Sequence, residues 1–335
     1  MAVLILVLCS SLITPFIGFA NVYDKNQWLT YFPFSIAYSY GVLVWYYTIN
    51  LTDSRHRFTR RDLALFIPTA VYLAYRFFLF SHSLEWKDWF GKNYGDIFEA
   101  VIFVTEALWG LALLILSIRH YRKYRVWLNE NFSDTEKIKF DWLRNFLYVF
   151  MSVLLLGAFF DFTNSFLFRL SYIQYFYFEI VLALATYYLA VAGYLRSKTI
   201  ELTFSDKPDE TAQSRRSLLS DKELERLKEK LKIVMSQERP YLEPAITLTD
   251  LTRAVGVNTT ILSYAINKGF DKNFNDFINE YRINEVKSKL RDTDDDTLLG
   301  IAFDCGFNSK ATFNRAFKKF MGVSPKEYQE KFAED

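Results

Sequence analysis

Lys310, Ala311, Asn314, Arg315 and Lys318 recur at one-, three- and four-residue steps near the end of a 335-residue chain, so on a helix they share one face. Amide and guanidinium groups arrayed in this way can hydrogen-bond base edges in a major groove, while the lysines reach phosphates. The opposite face, Phe313, Ala316, Phe317 and Phe320, is apolar and is expected to be buried. Just upstream, Ala302 is the small residue that two crossing helices need, and Gly306 tolerates a left-handed turn four residues later. Asn308 or Ser309 then caps the next helix. A second copy of the pattern lies at residues 248–267, with Gly256 as the turn and Asn258 as the cap. There Leu262, Ala265 and Ile266 are expected to pack inward, and Thr260, Ser263, Tyr264 and Asn267 to face out. Phe274, Phe277, Ile278 and Tyr281 mark an amphipathic connector between the copies. Two reading helices on a rigid connector would enter successive major grooves about 34 Å apart.

The strings LTDLTRAVGVNTTILSYAIN, NFNDFINEYRINEVKSKL, IAFDCGFNSKATFNRAFKK and GVSPKEY resemble the AraC family of transcription regulators. The resemblance implies sequence-specific binding of double-stranded promoter DNA, usually as a homodimer, and control of the transcription machinery. Thr252 departs from the family pattern, which places a small alanine there, and the first reading face is uncharged. A weaker or more permissive first contact is therefore expected. Residues 221–335 carry 19 basic and 20 acidic side chains, and the whole chain has a net charge of +2. No broad basic field draws in nucleic acid, so a single domain is expected to bind modestly and a pair more tightly.

Other chemistries find little support. Cys9 and Cys305 fall in different domains, which argues against a disulfide or a cysteine metal site. His56, His82 and His120 flank apolar segments without metal-ligand spacing. No catalytic residue, metal or cofactor is predicted.

The rest of the chain explains the 51% hydrophobic and 19% aromatic composition. Six apolar segments, 2–20, 32–51, 63–81, 97–117, 145–164 and 173–195, approach the ~20 residues that a spanning helix needs. Alternate loops are basic: Arg55, Arg57, Arg60 and Arg61; Arg119, Arg122, Lys123 and Arg125 with Lys137, Lys139 and Arg144; then Arg196 and Lys198. The loops at 21–31, 82–96 and 165–172 are not, so the basic loops and everything after residue 196 are expected in the cytoplasm. The first segment begins at Met1 without a basic leader and is read as a retained helix, although Gly18-Phe19-Ala20 weakly resembles a cleavage site. An additional helix upstream of Met1 is the other alternative.

Arg76, Glu99, Glu106, Asp161, Asn164 and Glu179 fall inside these spans, where polar groups are costly and usually face a bundle interior. Glu99 and Glu106 stand two turns apart on one face. Two readings stay open. One is a polar, aromatic-lined, outward-opening pocket for an unknown small molecule or envelope signal, with Arg76 as an anion contact or as partner to the acids. The other is a structural ion pair with interhelical hydrogen bonds.

Residues 197–221 are polar and aperiodic, as expected of a linker. After them Leu224, Leu227, Leu231 and Val234 set a helical period that fits a bundle helix better than a short coiled coil. The expected architecture is all-α. A transmembrane sensor bundle of about six spans occupies residues 1–196, followed by the linker and, at 222–335, a cytoplasmic seven-helix tandem helix-turn-helix domain. That describes a multi-pass regulator in a bacterial inner membrane, in contact with lipid and promoter DNA. The competing class is a transporter or other membrane protein with a regulatory DNA- or protein-binding tail; Pro15, Pro33 and Pro68 interrupt only its first half.

Overall fold

The computed structural model describes residues 1–53, 56–136, 138–195, 204, 220–292 and 297–332. The expected linker lies outside the described residues except for Phe204, Ser220 and Asp221. The described chain is helical throughout, with a single isolated bridge between Phe132 and Thr247 and no strand among these residues. It divides into two compact units, Met1–Arg122 with Phe140–Ser205, and Lys123–Lys139 with Asp206–Asp335.

The first unit is built on α1 (Ala2–Phe19), α2 (Ser39–Thr52), α3 (Ile67–Phe80), α4 (Asp96–Asn131), α5 (Asp141–Phe162) and α6 (Tyr172–Leu195). Four helical stretches are long and apolar enough to cross a membrane: Arg60–Phe80, Leu84–Asn131, Asp141–Leu167 and Ile173–Tyr194. The first two expected segments form shorter helices. α1 has 18 residues, and α2 has only 14 because Pro33 and a left-handed Tyr38 (φ 65°) keep residues 32–38 out of the helix. Val71, Leu108, Leu155 and Leu184 point away from the bundle, an outward apolar surface suited to lipid and costly in water. At 36 residues α4 is about 54 Å long, against a hydrocarbon layer of about 30 Å. Its apolar stretch ends near residue 117, and from Lys123 onward it belongs to the second unit.

The second unit contains seven α-helices among the described residues: α7 (Asp221–Gln237), α8 (Leu248–Val255), α9 (Thr259–Phe270), α10 (Phe274–Asp292), α11 (Leu298–Asp304), α12 (Lys310–Met321) and α13 (Pro325–Phe332). Hydroxyl, carboxylate and carboxamide caps start them in place. Ser220 with Glu223 and Thr247 with Asp250 form capping boxes, and Asn258, Thr297 and Ser309 each accept from a first-turn amide. Two apolar cores result. Leu227, Leu231 and Val234 of α7 are buried in the first, which makes α7 a bundle helix. α10 joins the cores, giving Phe277 and Ile278 to the first and Ile283 and Val286 to the second.

Arg282 sits where the cores meet and is fully buried. Its Nε donates to the Tyr241 carbonyl at 2.7 Å and its Nη2 to the Glu243 carbonyl at 2.8 Å, while the guanidinium lies over the Phe307 ring at 5.6 Å. Burial lowers its pKa to about 10, so it remains charged at neutral pH and the carbonyls solvate that charge. Arg282 thereby ties the 240–244 turn to the connector helix.

The two turn glycines differ in their surroundings. Both have positive φ, 72° at Gly256 and 90° at Gly306. A Cβ on Gly256 meets only Lys230 Nζ at 3.7 Å, whereas one on Gly306 would lie 2.5 Å from the Tyr241 carbonyl oxygen. Gly256→Ala is predicted to cost about 1 kcal/mol, from backbone strain alone. Gly306→Ala is predicted to cost roughly 3 kcal/mol or more, because fixed backbone blocks the methyl as well. Hydrogen exchange of α8 and α9 for the first substitution, and of α11 and α12 for the second, measures both in the intact chain; equal effects would refute the assigned cause. Arg282→Ala is predicted to cost about 3–5 kcal/mol by leaving buried carbonyls unpaired, and Arg282→Lys to recover little because an ammonium cannot span the fork. The same exchange measurement tests this, and full recovery by lysine would contradict it.

Candidate nucleic-acid interface and membrane pocket

The face of α12 follows from its packing. Phe313, Ala316 and Phe317 are buried and Phe320 partly so, which leaves Lys310, Ala311, Asn314, Arg315 and Lys318 together on the exposed side. Ala302 of α11 is fully buried at the crossing, and Ser309 rather than Asn308 is the cap, accepting from the Thr312 amide at 3.1 Å. In the first unit of the tandem, Leu262, Ala265 and Ile266 of α9 are buried; Asn267 is exposed, and Thr260, Ser263 and Tyr264 are half-buried. Thr252 is tolerated at the α8 crossing because its hydroxyl donates to the Thr249 carbonyl at 2.6 Å, leaving its methyl to pack. Burial raises the Cys305 thiol to about 11, so it stays protonated and acts as a small apolar residue.

The reading face is not empty. The loop that follows α4 lies against it, within the second unit. Ser133 is fully buried; its hydroxyl donates to the Ile246 carbonyl at 2.8 Å and accepts from Arg282 Nη2 at 3.4 Å. Asn275 Nδ2 donates to the Phe132 and Ser133 carbonyls at 3.1 and 2.7 Å. So anchored, Asp134 accepts from the Thr312 hydroxyl at 3.0 Å, and Glu136 accepts from Arg315 Nη1 at 3.2 Å. Beside α9, Val126, Asn129 and Glu130 share a groove with Asn267. Sequence reasoning missed Ser133, Asp134, Glu136, Asn275 and Arg282. For Asp134 and Glu136 the available signal was the acidic run NENFSDTE inside an otherwise basic loop.

In the first unit, Glu99, Glu106, Asp161, Asn164 and Glu179 line one cavity of about 580 Å³, with Tyr38, Tyr40, Tyr175 and Phe178 among its walls. Glu106 accepts from the Tyr38 amide at 3.3 Å, and Asp161 accepts from the Tyr175 hydroxyl. Asn164 is held by the Leu170 amide at 3.0 Å. Glu179 Oε2 is buried with no hydrogen-bond partner among the described residues. Arg76 does not line the cavity; it pairs with Glu99 at 3.3 Å and sits over the Tyr31 ring at 5.3 Å.

Comparison with known proteins concerns the second unit. Residues 251–331 match the family model described as a helix-turn-helix domain. An uncharacterized HTH-type transcriptional regulator of Staphylococcus aureus (strain COL) is 31% identical over 119 residues, 36% of this chain and 15% of that protein. The melibiose operon regulatory protein of Escherichia coli (strain K12) is 31% identical over 87 residues, 26% of this chain and 28% of that protein. The matches thus span less than a third of these relatives. No solved structure matches the chain. The paired turns at Gly256 and Gly306, the caps at Asn258 and Ser309 and the matched residues together place the C-terminal part of the chain in the AraC-type helix-turn-helix family.

Proposed function

We propose that the chain is a membrane-bound one-component transcription regulator, whose helical bundle senses a signal and whose C-terminal domain binds promoter DNA sequence-specifically. The observation that carries this reading is the union, in one chain, of spanning-length apolar helices with two correctly turned and capped reading helices. The DNA contacts come from Thr260, Ser263, Tyr264 and Asn267 of α9 and from Lys310, Ala311, Asn314, Arg315 and Lys318 of α12. The bonds from Ser133 and Asn275 support a cytoplasmic location independently of loop charge, because the α4–α5 loop and the DNA-binding domain must then share one side of a bacterial inner membrane. With nearly balanced charge, pairing as a homodimer raises affinity at promoters and brings the domain to the transcription machinery.

The cavity is the sensing site in this reading. Its carboxylates and tyrosines, one carboxylate oxygen lacking a partner and Arg76 turned away to Glu99, favour a cationic or donor-rich organic signal over an anion.

Genome-wide DNA occupancy of the intact chain is expected to show discrete enriched sites, and Arg315→Ala to lose or relax them by tenfold or more. Absence of enriched sites, or an unchanged pattern in the variant, ends the DNA-reading proposal. For the cavity, Glu106→Gln and Glu179→Gln are expected to change output from an occupied promoter in intact cells at unchanged protein level. Normal output from both variants rules the sensing site out.

A further inference from the structure

We infer that residues 132–136 are a built-in competitor for DNA, a clamp that holds the reading helices closed until the membrane unit withdraws it. The inference deepens the DNA-binding reading and rests on it.

Arg315 meets Glu136 at the distance at which it would meet a phosphate or base oxygen, and the buried Thr312 hydroxyl holds Asp134 beside it. An exposed arginine–carboxylate pair is weak on its own. Here it is backed by an anchor that does not involve the reading face: the buried Ser133, the Phe132–Thr247 bridge and the two bonds from Asn275. The anchor delivers Asp134 and Glu136 to α12 at the high effective concentration of an intramolecular ligand. Val126, Asn129 and Glu130 at the end of α4 flank Asn267 of α9, so one continuous segment lies beside both reading helices. DNA cannot take Arg315 without displacing Glu136. If the open form is about 1–10% populated, apparent DNA affinity falls about ten- to a hundredfold.

The clamp connects α4 to α5, both of which include spanning-length stretches. α4 also carries Glu99 and Glu106 of the cavity, on the same uninterrupted helix that ends at Asn131. A signal that favours a shifted or rotated α4 therefore acts directly on the clamp's root.

The test uses the full chain in lipid nanodiscs and DNA duplexes enriched from a randomised library by the chain itself. An Asp134→Asn/Glu136→Gln variant is expected to bind those duplexes about tenfold or more tightly than the native chain. A control that removes the same charge away from the reading face, Glu225→Gln/Glu229→Gln, is expected to change binding less than about twofold. Hydrogen exchange at residues 130–136 of the native chain is expected to rise when DNA saturates it. Equal affinity of native and clamp variant, an equal gain in the control, or unchanged exchange in the DNA-bound chain overturns the clamp while leaving DNA reading intact. Failure of native and variant chains alike to enrich any sequence removes DNA reading itself, and the clamp with it.

Discussion

A guanidinium sealed from water must find oxygen atoms, and in this chain it finds them on the backbone of one turn and on a serine of a distant loop. Arg282 reaches the carbonyls of Tyr241 and Glu243 in one turn and the hydroxyl of Ser133, more than 100 positions earlier in the chain. Because Arg282 rides on α10, which supplies both cores, the orientation of one helix-turn-helix relative to the other is set at the same place. The close seat of Gly306 on the Tyr241 carbonyl continues the arrangement on the other side of that turn. Removing apolar contacts would loosen either core separately; disturbing the buried charge disturbs their junction.

The membrane unit obeys an opposite logic. Large apolar side chains such as Val71, Leu108, Leu155 and Leu184 face outward, and Glu99, Glu106, Asp161 and Glu179 face a cavity where Tyr38 and Tyr175 bond two of them. α4 belongs to both regimes. It begins among the intramembrane acids and ends in the polar sequence LNEN, so it passes from lipid-matched to water-matched composition without a break. A helix of that length is stiff over many turns, which makes it a better carrier of small displacements than a flexible linker.

Legibility in the sequence followed the range of the interactions. Caps, turn glycines and buried stripes are local, and Gly256, Gly306, Asn258 and the Phe313–Phe317 face could be read directly. Intramembrane polarity is also local in cost, which is why five of the six named polar residues proved to line one cavity. Arg76 did not; of the two roles open to it in the sequence, anion contact or partner to the acids, it takes the second, with Glu99. Helix α2 fell short of its apolar segment because hydropathy does not register the backbone restriction at Pro33. The role of Ser133 and Asn275 was invisible, since it joins residues more than 140 positions apart and leaves no periodic trace.

The second unit is also discontinuous, and this bears on how it is made. Residues 123–139 leave the ribosome well before their partners, with Arg282 following Ser133 by 149 positions. At about 5–20 residues per second, roughly 7–30 s separate the two. The Tyr241 and Glu243 carbonyls themselves follow Ser133 by more than 100 positions, so through most of that interval Ser133 waits without these partners while α5 and α6 are made. The DNA-binding unit can therefore complete its fold only after α5 and α6 have been made, so the order of synthesis itself puts the chain of the first unit ahead of it.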